Sequence, residues 1–330
     1  DDQGRSDLAP INTLLEKVFE AARKDTVIVV LSQVPPGFTL TKQRADRTLY
    51  YQVETLIFGR AVERAIFPER YIVGCADPSL PLPAAYATFL DAHGCPILPM
   101  RFESAELAKI SINMCLVASV STANTLADLC EKIGADWSEI VPALKLDKRI
   151  GQYAYLSPGL GLAGGNLERD IATVLRFAEA TGSEAGLIKS FVANSRHRCD
   201  WVLHTLHHEV LAGNPKSVLG VLGLAYKENT HSTKNSPSLA LIKQLGGWQL
   251  RVHDPVVPTS VANHPDAIGC SSAMETARGV DALVVMTPWS AYRELKPHEL
   301  ARVMAGQTII DPYRVLNGAM VVAAGLDYLT

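Results

Sequence analysis

The sequence predicts an α/β protein with two doubly wound parallel-sheet domains joined by a long central helix. Three patterns carry that prediction: short β-branched runs alternating with helical stretches in the first hundred or so residues, the same alternation after residue 217, and an unbroken helical pattern at 104–133 between them. A helical stretch around Ile11 to Lys24 runs into TVIVVL at 26–31, which reads as a buried parallel strand. SQVPPG at 32–37 ends that strand, since neither proline can continue a ladder. YIVGC at 71–75 and CPILPM at 95–100 follow as further strands, after irregular or helical connections. From Ser104, a capping residue, Leu107, Ile110, Met114, Val117 and Val120 recur near helical spacing until Gly134 stops the pattern. At 1.5 Å per residue this makes a rod of roughly 45 Å, long enough to join two domains. Helices are expected at 168–181 and 184–212, separated by Gly182. SVLGVLG at 217–223, a helix through SPSLALIKQLGG, WQLRVHD at 248–254, DALVVMT at 281–287 and TIID at 308–311 then read as a second, Rossmann-like sheet. The expected domains are 1–101, a central helical region at 102–213, and 214–330. There is no convincing short repeat and no low-complexity tract.

Composition narrows the function. A chain of 330 residues, 48% hydrophobic, has enough apolar material for two substantial cores. Lys+Arg 31 against Asp+Glu 34 gives a net charge of -3 with no block of like charge, so no footprint for nucleic acid or an anionic membrane is expected. A small anionic ligand needs only a local basic site. No uninterrupted apolar run reaches transmembrane length, and DDQGRSD has neither the basic region nor the apolar core of a signal peptide. The six cysteines form no CxxC pair, which argues against zinc ribbons and disulfide frameworks and for free thiols in a reducing cytoplasm. His197, His204 and His208 fall close to one helix face but lack a nearby carboxylate, so they read as separate surface residues and no metal is expected.

A dinucleotide domain opens with a strand running into a glycine-rich turn at a helix N-terminus. Nothing before residue 26 supplies one, and GLGLAG at 159–164 matches the letters but follows YLSP instead of a strand. GVLGLAYKENT at 220–230 does follow a strand, with a glycine spacing that better suits a second nucleotide-binding half.

Several segments together carry a resemblance, in order along the chain. DDQGRSDLAPI is similar to DGxxDLS, SQVPPG to STVPPG, YQVETLIFGRAVERAIFPERYIVG to NPEFLREGxAxxDFxxPxRIVIG, and SAELAKISINMCLVASVSTAN to AELxKYxxNAFLAxKISFxNE. LDKRIGQYAYLSPGLGLAGGNLERD resembles DxRIGxxFLxPGxGFGGSCFPKD, GLAYKENTHSTKNSP resembles GLAFKxxTDDxRxSP, and MTPWSAY the MTEWxEF region. These are motifs of the NAD-dependent nucleotide-sugar dehydrogenases, the group of UDP-glucose and GDP-mannose dehydrogenases. The resemblance implies two Rossmann-like domains, the first truncated because the chain begins partway through it. It also implies a substrate cleft between the domains and a homodimer built on the central helices. In that family a hydroxyl of a sugar nucleotide is oxidised by hydride transfer to NAD. A cysteine then captures the aldehyde, a second hydride leaves, and the thioester is hydrolysed; the thiolate serves as nucleophile and leaving group.

Site residues follow from the same match. Lys109 and Asn113 fall on the central-helix pair that contacts the reacting alcohol, and their i,i+4 spacing puts them on one face. Asp170 keeps the aspartate of the nucleophile loop, and Glu54 matches the first of two glutamates, the second falling on Phe58. Asn166 stands at the cysteine position, and none of the six cysteines lies in that loop. A carboxamide nitrogen has no available lone pair for nucleophilic attack, although the side chain still donates hydrogen bonds. Ser32, Gln33 (in place of threonine), Arg169 (in place of lysine) and Lys234 are implied at NAD. For a UDP- or GDP-sugar the resemblance implies Arg149, reaching the neighbouring subunit's substrate, then Lys227, Tyr155 beside the base, and the amides of Gly159, Gly161 and Gly164. Arg314 of DPYRVLN lies one place from the arginine of a DxRN element. Two functions remain open: a dehydrogenase limited to a two-electron oxidation, or a non-catalytic sugar-nucleotide-binding relative that partners an active dehydrogenase.

Overall fold

The computed structural model describes residues 6–330 apart from 55, 57, 58, 213 and 215, so the expectation for Phe58 lies outside the described residues. The chain forms two compact units, one of Asp1–Cys115 with Arg169–Glu184 and one of Leu116–Glu168 with Ala185–Thr330. They divide the chain elsewhere than at 101 and 213, because the segment from Arg169 packs with the first unit.

In the first unit α1 (Ala9–Ala21), with proline in its first turn, buries Leu15 and Phe19. It is followed by β1 (Val27–Val30), α2 (Phe38–Thr41), β2 (Thr48–Gln52), α3 (Ala61–Ile66), β3 (Tyr71–Cys75), α4 (Ala84–Asp91) and β4 (Ile97–Arg101). The sheet order is β1-β2-β3-β4. β1/β2 and β3/β4 pair in parallel, whereas β2 and β3 are antiparallel. β2 lies where an irregular or helical connection was expected. Its TLYYQ sequence has strand-forming residues and alternates half-buried and buried positions. A reversal between neighbouring strands needs no crossover helix, so one antiparallel pairing fits inside an otherwise parallel sheet. Phe19, Ile28, Val30, Leu49, Tyr51, Phe102 and Ala105 belong to one buried cluster.

Helix α5 (Phe102–Ile133) begins directly where β4 ends and is the long central helix. Among the described residues it is the one helix long and apolar enough, by length and composition, to cross a membrane. Its buried Glu106 and Asn113 are hydrogen-bonded within the first unit, as befits the core helix of a folded domain.

α6 (Trp137–Leu146) is capped by Asp136, and α7 (Asn166–Thr181) and α8 (Gly186–Leu206) follow, the last ending in a π-helical turn at His207–Leu211. The second sheet is built from β5 (Val218–Leu222), α9 (Pro237–Gln244), β6 (Gln249–His253), β7 (Ala267–Gly269), α10 (Ala273–Ala277), β8 (Ala282–Val285), α11 (Pro297–Val303), β9 (Thr308–Ile310), α12 (Gly318–Ala323) and β10 (Asp327–Leu329). Its order is β10-β9-β8-β5-β6-β7, and every pairing is parallel. The strand order therefore reverses at β5/β8, which is the doubly wound Rossmann arrangement. Its central strands β5 and β8 are apolar on both faces, as a sheet covered by crossovers on both sides requires: Leu219, Val221, Leu283 and Val284 are fully buried.

Candidate active site

In the first unit α5 presents Glu106, Lys109 and Asn113 at i, i+3 and i+7, one face of the helix. Glu106 is 0% exposed, and its carboxylate accepts from the backbone N–H of Gly37 at 2.6 Å and of Thr39 at 2.8 Å. It thereby pins the proline-rich turn after β1, which carries Gln33. Burial pushes the Glu106 carboxyl up, against the opposing donors from Thr39 and Gly37. Sequence reading passed over Glu106; the available signal was its place one turn before Lys109 on the same face.

Asp170, one turn into α7 and 1% exposed, takes hydrogen bonds from three side chains. Gln33 Nε2 donates to Oδ1 at 2.6 Å, Asn113 Nδ2 donates to Oδ2 at 2.5 Å, and Arg169 Nε lies 3.4 Å from Oδ1. Arg169 also donates through Nη2 to Gln33 Oε1. Lys109 is half-buried: burial lowers its ammonium pKa, Asp170 and Glu54 partly restore it, and Arg169 and Arg64 lower it further. Glu54 is exposed and accepts from the Leu56 N–H at 3.1 Å, and Ser32 is exposed just past β1. The fold thus brings Lys109, Asn113, Gln33, Arg169 and Asp170 together. A partly desolvated ammonium beside oriented carboxamides is suited to stabilising an oxyanion.

In the second unit the loop ahead of α7 is held from two helices. Asn124 Oδ1 accepts the Gly159 N–H at 2.8 Å, Arg198 Nε donates to the Gly159 carbonyl at 3.1 Å, and Ser195 Oγ accepts the Leu162 N–H at 2.7 Å. Gly161 and Gly164 have φ of 78° and 85°, and a Cβ there would come within 2.5 Å of the Ser195 carbonyl and 2.7 Å of the Tyr226 ring. Tight packing explains these two glycines.

Tyr155 is exposed, and the exposed Arg149 makes a bidentate pair with Asp147 at 3.0 and 2.6 Å. Lys227, its pKa lowered by burial, holds its ammonium 5.5 Å from the Tyr226 ring centre. Lys234 is exposed and offsets the upward push of burial on Glu168. Arg314 donates to Asp136 at 2.8 Å and brings that carboxyl down to about 2, with help from Ser138. Asn166 is exposed as the first residue of α7. His197 and His204 are exposed on α8, and His208 lies 2.8 Å from Glu209. Among the described residues no group of three His, Cys, Asp or Glu could hold a metal ion.

Asp254, just past β6, also escaped sequence reading. In a doubly wound sheet an acidic residue at the end of the second strand commonly meets a ribose. Here Oδ2 accepts from the N–H of Leu224 at 2.7 Å and of Ala225 at 3.0 Å, and from Trp289 Nε1 at 3.1 Å. Oδ1 accepts from Val256 at 2.9 Å and Val257 at 2.8 Å. Burial would raise this carboxyl, but the four backbone donors outweigh it and hold it below the ordinary aspartate range. Its acceptor capacity is spent on the loops at the switch point, which leaves it unsuited to a ribose.

The fold defines a two-unit α/β protein with a hydrogen-bonded polar cluster around Asp170 in one unit and a doubly wound Rossmann sheet in the other. Residues 103–196 match the central domain of the UDP-glucose/GDP-mannose dehydrogenase family and residues 220–318 match its UDP binding domain, together more than half of the chain. The chain belongs to this family of nucleotide-sugar dehydrogenases. It is 28% identical to a UDP-glucose 6-dehydrogenase of Rickettsia conorii over 98% of its length and 77% of that protein's. A UDP-glucose dehydrogenase from Pyrobaculum islandicum superposes with a TM-score of 0.83 at 25% identity, covering 99% of this chain and 76% of that one. A UDP-D-ManNAc dehydrogenase from Pyrococcus horikoshii superposes with a TM-score of 0.81 at 22% identity, covering 99% and 77%, a likeness of fold.

Proposed function

We propose that this chain oxidises a hydroxyl of a UDP-sugar to a carbonyl with NAD and stops after two electrons. The observation that carries the reading is the Lys109–Asn113–Asp170 cluster on α5 and α7. Asn113 accepts the hydrogen bond of the sugar hydroxyl, and the Lys109 ammonium stabilises the alkoxide as the hydroxyl proton passes to solvent water. Bound NAD would supply the hydride acceptor. Ser32 and Arg169, a hydroxyl and a cation past the carboxyl end of β1, fit one end of that dinucleotide. No strand, glycine-rich turn and helix of the fingerprint pattern occurs among the described residues to cradle its pyrophosphate. Asn166, where the resemblance places cysteine, forms no thiohemiacetal, so no second hydride is released. UDP is favoured over GDP because residues 220–318 match a UDP binding domain.

The second reading, a sugar-nucleotide-binding relative without turnover, is favoured by Asn166 at the position where the resemblance places the cysteine nucleophile. Titration calorimetry with UDP-glucose, GDP-mannose and NAD, followed by NADH absorbance with both ligands present, separates the two. One NADH per sugar and a carbonyl product support the dehydrogenase; UDP-glucose binding without NAD binding supports the second reading. A homodimer through α5 and a cytoplasmic location belong to the proposal. Exposed Leu126, Leu129 and Ile133, at i, i+3 and i+7, supply an apolar face for the dimer, to be checked by sedimentation.

A further inference from the structure

Two positions at which this chain departs from the motifs it resembles, Gln33 and Arg169, touch each other in the first unit. Arg169 and Asp170 are consecutive on α7 and so point in different directions, and their direct contact is long, 3.4 Å from Nε to Oδ1. Gln33, from the turn after β1, closes that gap by accepting from Arg169 and donating to Asp170 at 2.6 Å. The other Asp170 oxygen takes the Asn113 amide at 2.5 Å.

We propose that Gln33 is a positioning residue: tied to Arg169, it clamps Asp170, whose carboxylate in turn holds the NH2 edge of Asn113 and leaves its oxygen edge for the substrate hydroxyl. The inference rests on the dehydrogenase reading above. Donor and acceptor chemistry permits one polarity along this chain. A guanidinium only donates, so it takes the oxygen of Gln33 and turns the Gln33 NH2 toward Asp170. A carboxylate only accepts, so the Asn113 edge against it must be NH2 and the Asn113 oxygen points away. That oxygen can then receive a hydroxyl proton donor one helical turn from the Lys109 ammonium. Glu106 supports the clamp by holding the backbone of the Gln33 turn at Gly37 and Thr39.

The test uses the full chain with UDP-glucose and NAD as probes. Gln33→Ala should lower kcat by about 100-fold, the scale of a misplaced reacting group, while the calorimetric Kd for UDP-glucose stays within about threefold. Gln33→Met, similar in length but without donors, serves if the alanine variant fails to fold. Gln33→Glu sets a second carboxylate against Asp170, so the pair shares a proton. Its activity should survive at acidic pH and fall as pH rises, a limb absent from the parent chain and from Gln33→Ala. A kcat near that of the parent chain, a loss matched by Kd, or no added limb in Gln33→Glu overturns the proposal. If the parent chain makes no NADH, the dehydrogenase reading fails by itself. The clamp is then read from the side-chain NH2 signals of Asn113, assigned with Asn113→Ala. Slow hydrogen exchange that becomes fast in Gln33→Ala supports it, and unchanged exchange overturns it.

Discussion

Asp170 in the first unit and Asp254 in the second are both buried aspartates with both carboxylate oxygens engaged, yet they are built from different donors. Asp254 binds four backbone N–H groups and the Trp289 indole, so its partners are the turns of its own sheet. Asp170 binds the side chains of Gln33, Asn113 and Arg169, and its charge also acts on Lys109. Backbone donors cannot be re-aimed without moving the fold. Side-chain donors transmit orientation to a reacting group, so burial and hydrogen-bond number alone do not distinguish a structural carboxylate from one serving chemistry.

Mutating the two aspartates is the sharpest way to break that contrast. Asp254→Ala leaves buried donors unpaired and should cost about 3–5 kcal/mol, read by urea unfolding. Asp170→Asn should cost only about 1–2 kcal/mol while impairing turnover. Equal stability losses would end the distinction. Lys109→Ala should reduce NADH formation by about 100- to 1000-fold with UDP-glucose binding less affected, as for loss of one oxyanion donor. Gly161→Ala, forced into a positive φ against the Ser195 carbonyl, should destabilise the second unit by about 1–3 kcal/mol, seen as a lower Tm.

The two sites also differ in pH response. The depressed Asp254 pKa contributes stability that is fully present above the unfolded value of about 3.9 and is lost as pH falls through the folded value, so acid unfolding should report it. Lys109 has a lowered pKa, so a pH–rate profile should lose activity as pH rises through a value below the ordinary lysine value of about 10.4. Arg149→Ala should have the smallest effect, leaving Tm unchanged, since the Arg149–Asp147 pair is exposed.

Elements with a long period could be read from the sequence. The run from Leu107 to Val120 foretold α5 within two residues at its start, and the central strands of the second sheet stood out as apolar runs. The three-residue strands β7 and β10 are too short to show a period, and β2 lies between polar segments that obscured its strand-forming residues. Lys109 and Asn113 could be paired by spacing, but nothing local joins Gln33 to Asp170, 137 residues away.

By itself the sequence determined the two α/β regions, the long helix and the face bearing Lys109 and Asn113, because helical and strand periods are written in neighbouring residues. Tertiary structure alone decided that Gln33 and Arg169 close on Asp170, that Asn124 takes the Gly159 amide, and that Asp254 serves the fold. Those choices depend on which donors the folded chain brings within hydrogen-bond distance of each acceptor, and Gln33 and Asp170, Asn124 and Gly159, and Asp254 and Leu224 lie tens of residues or more apart in sequence.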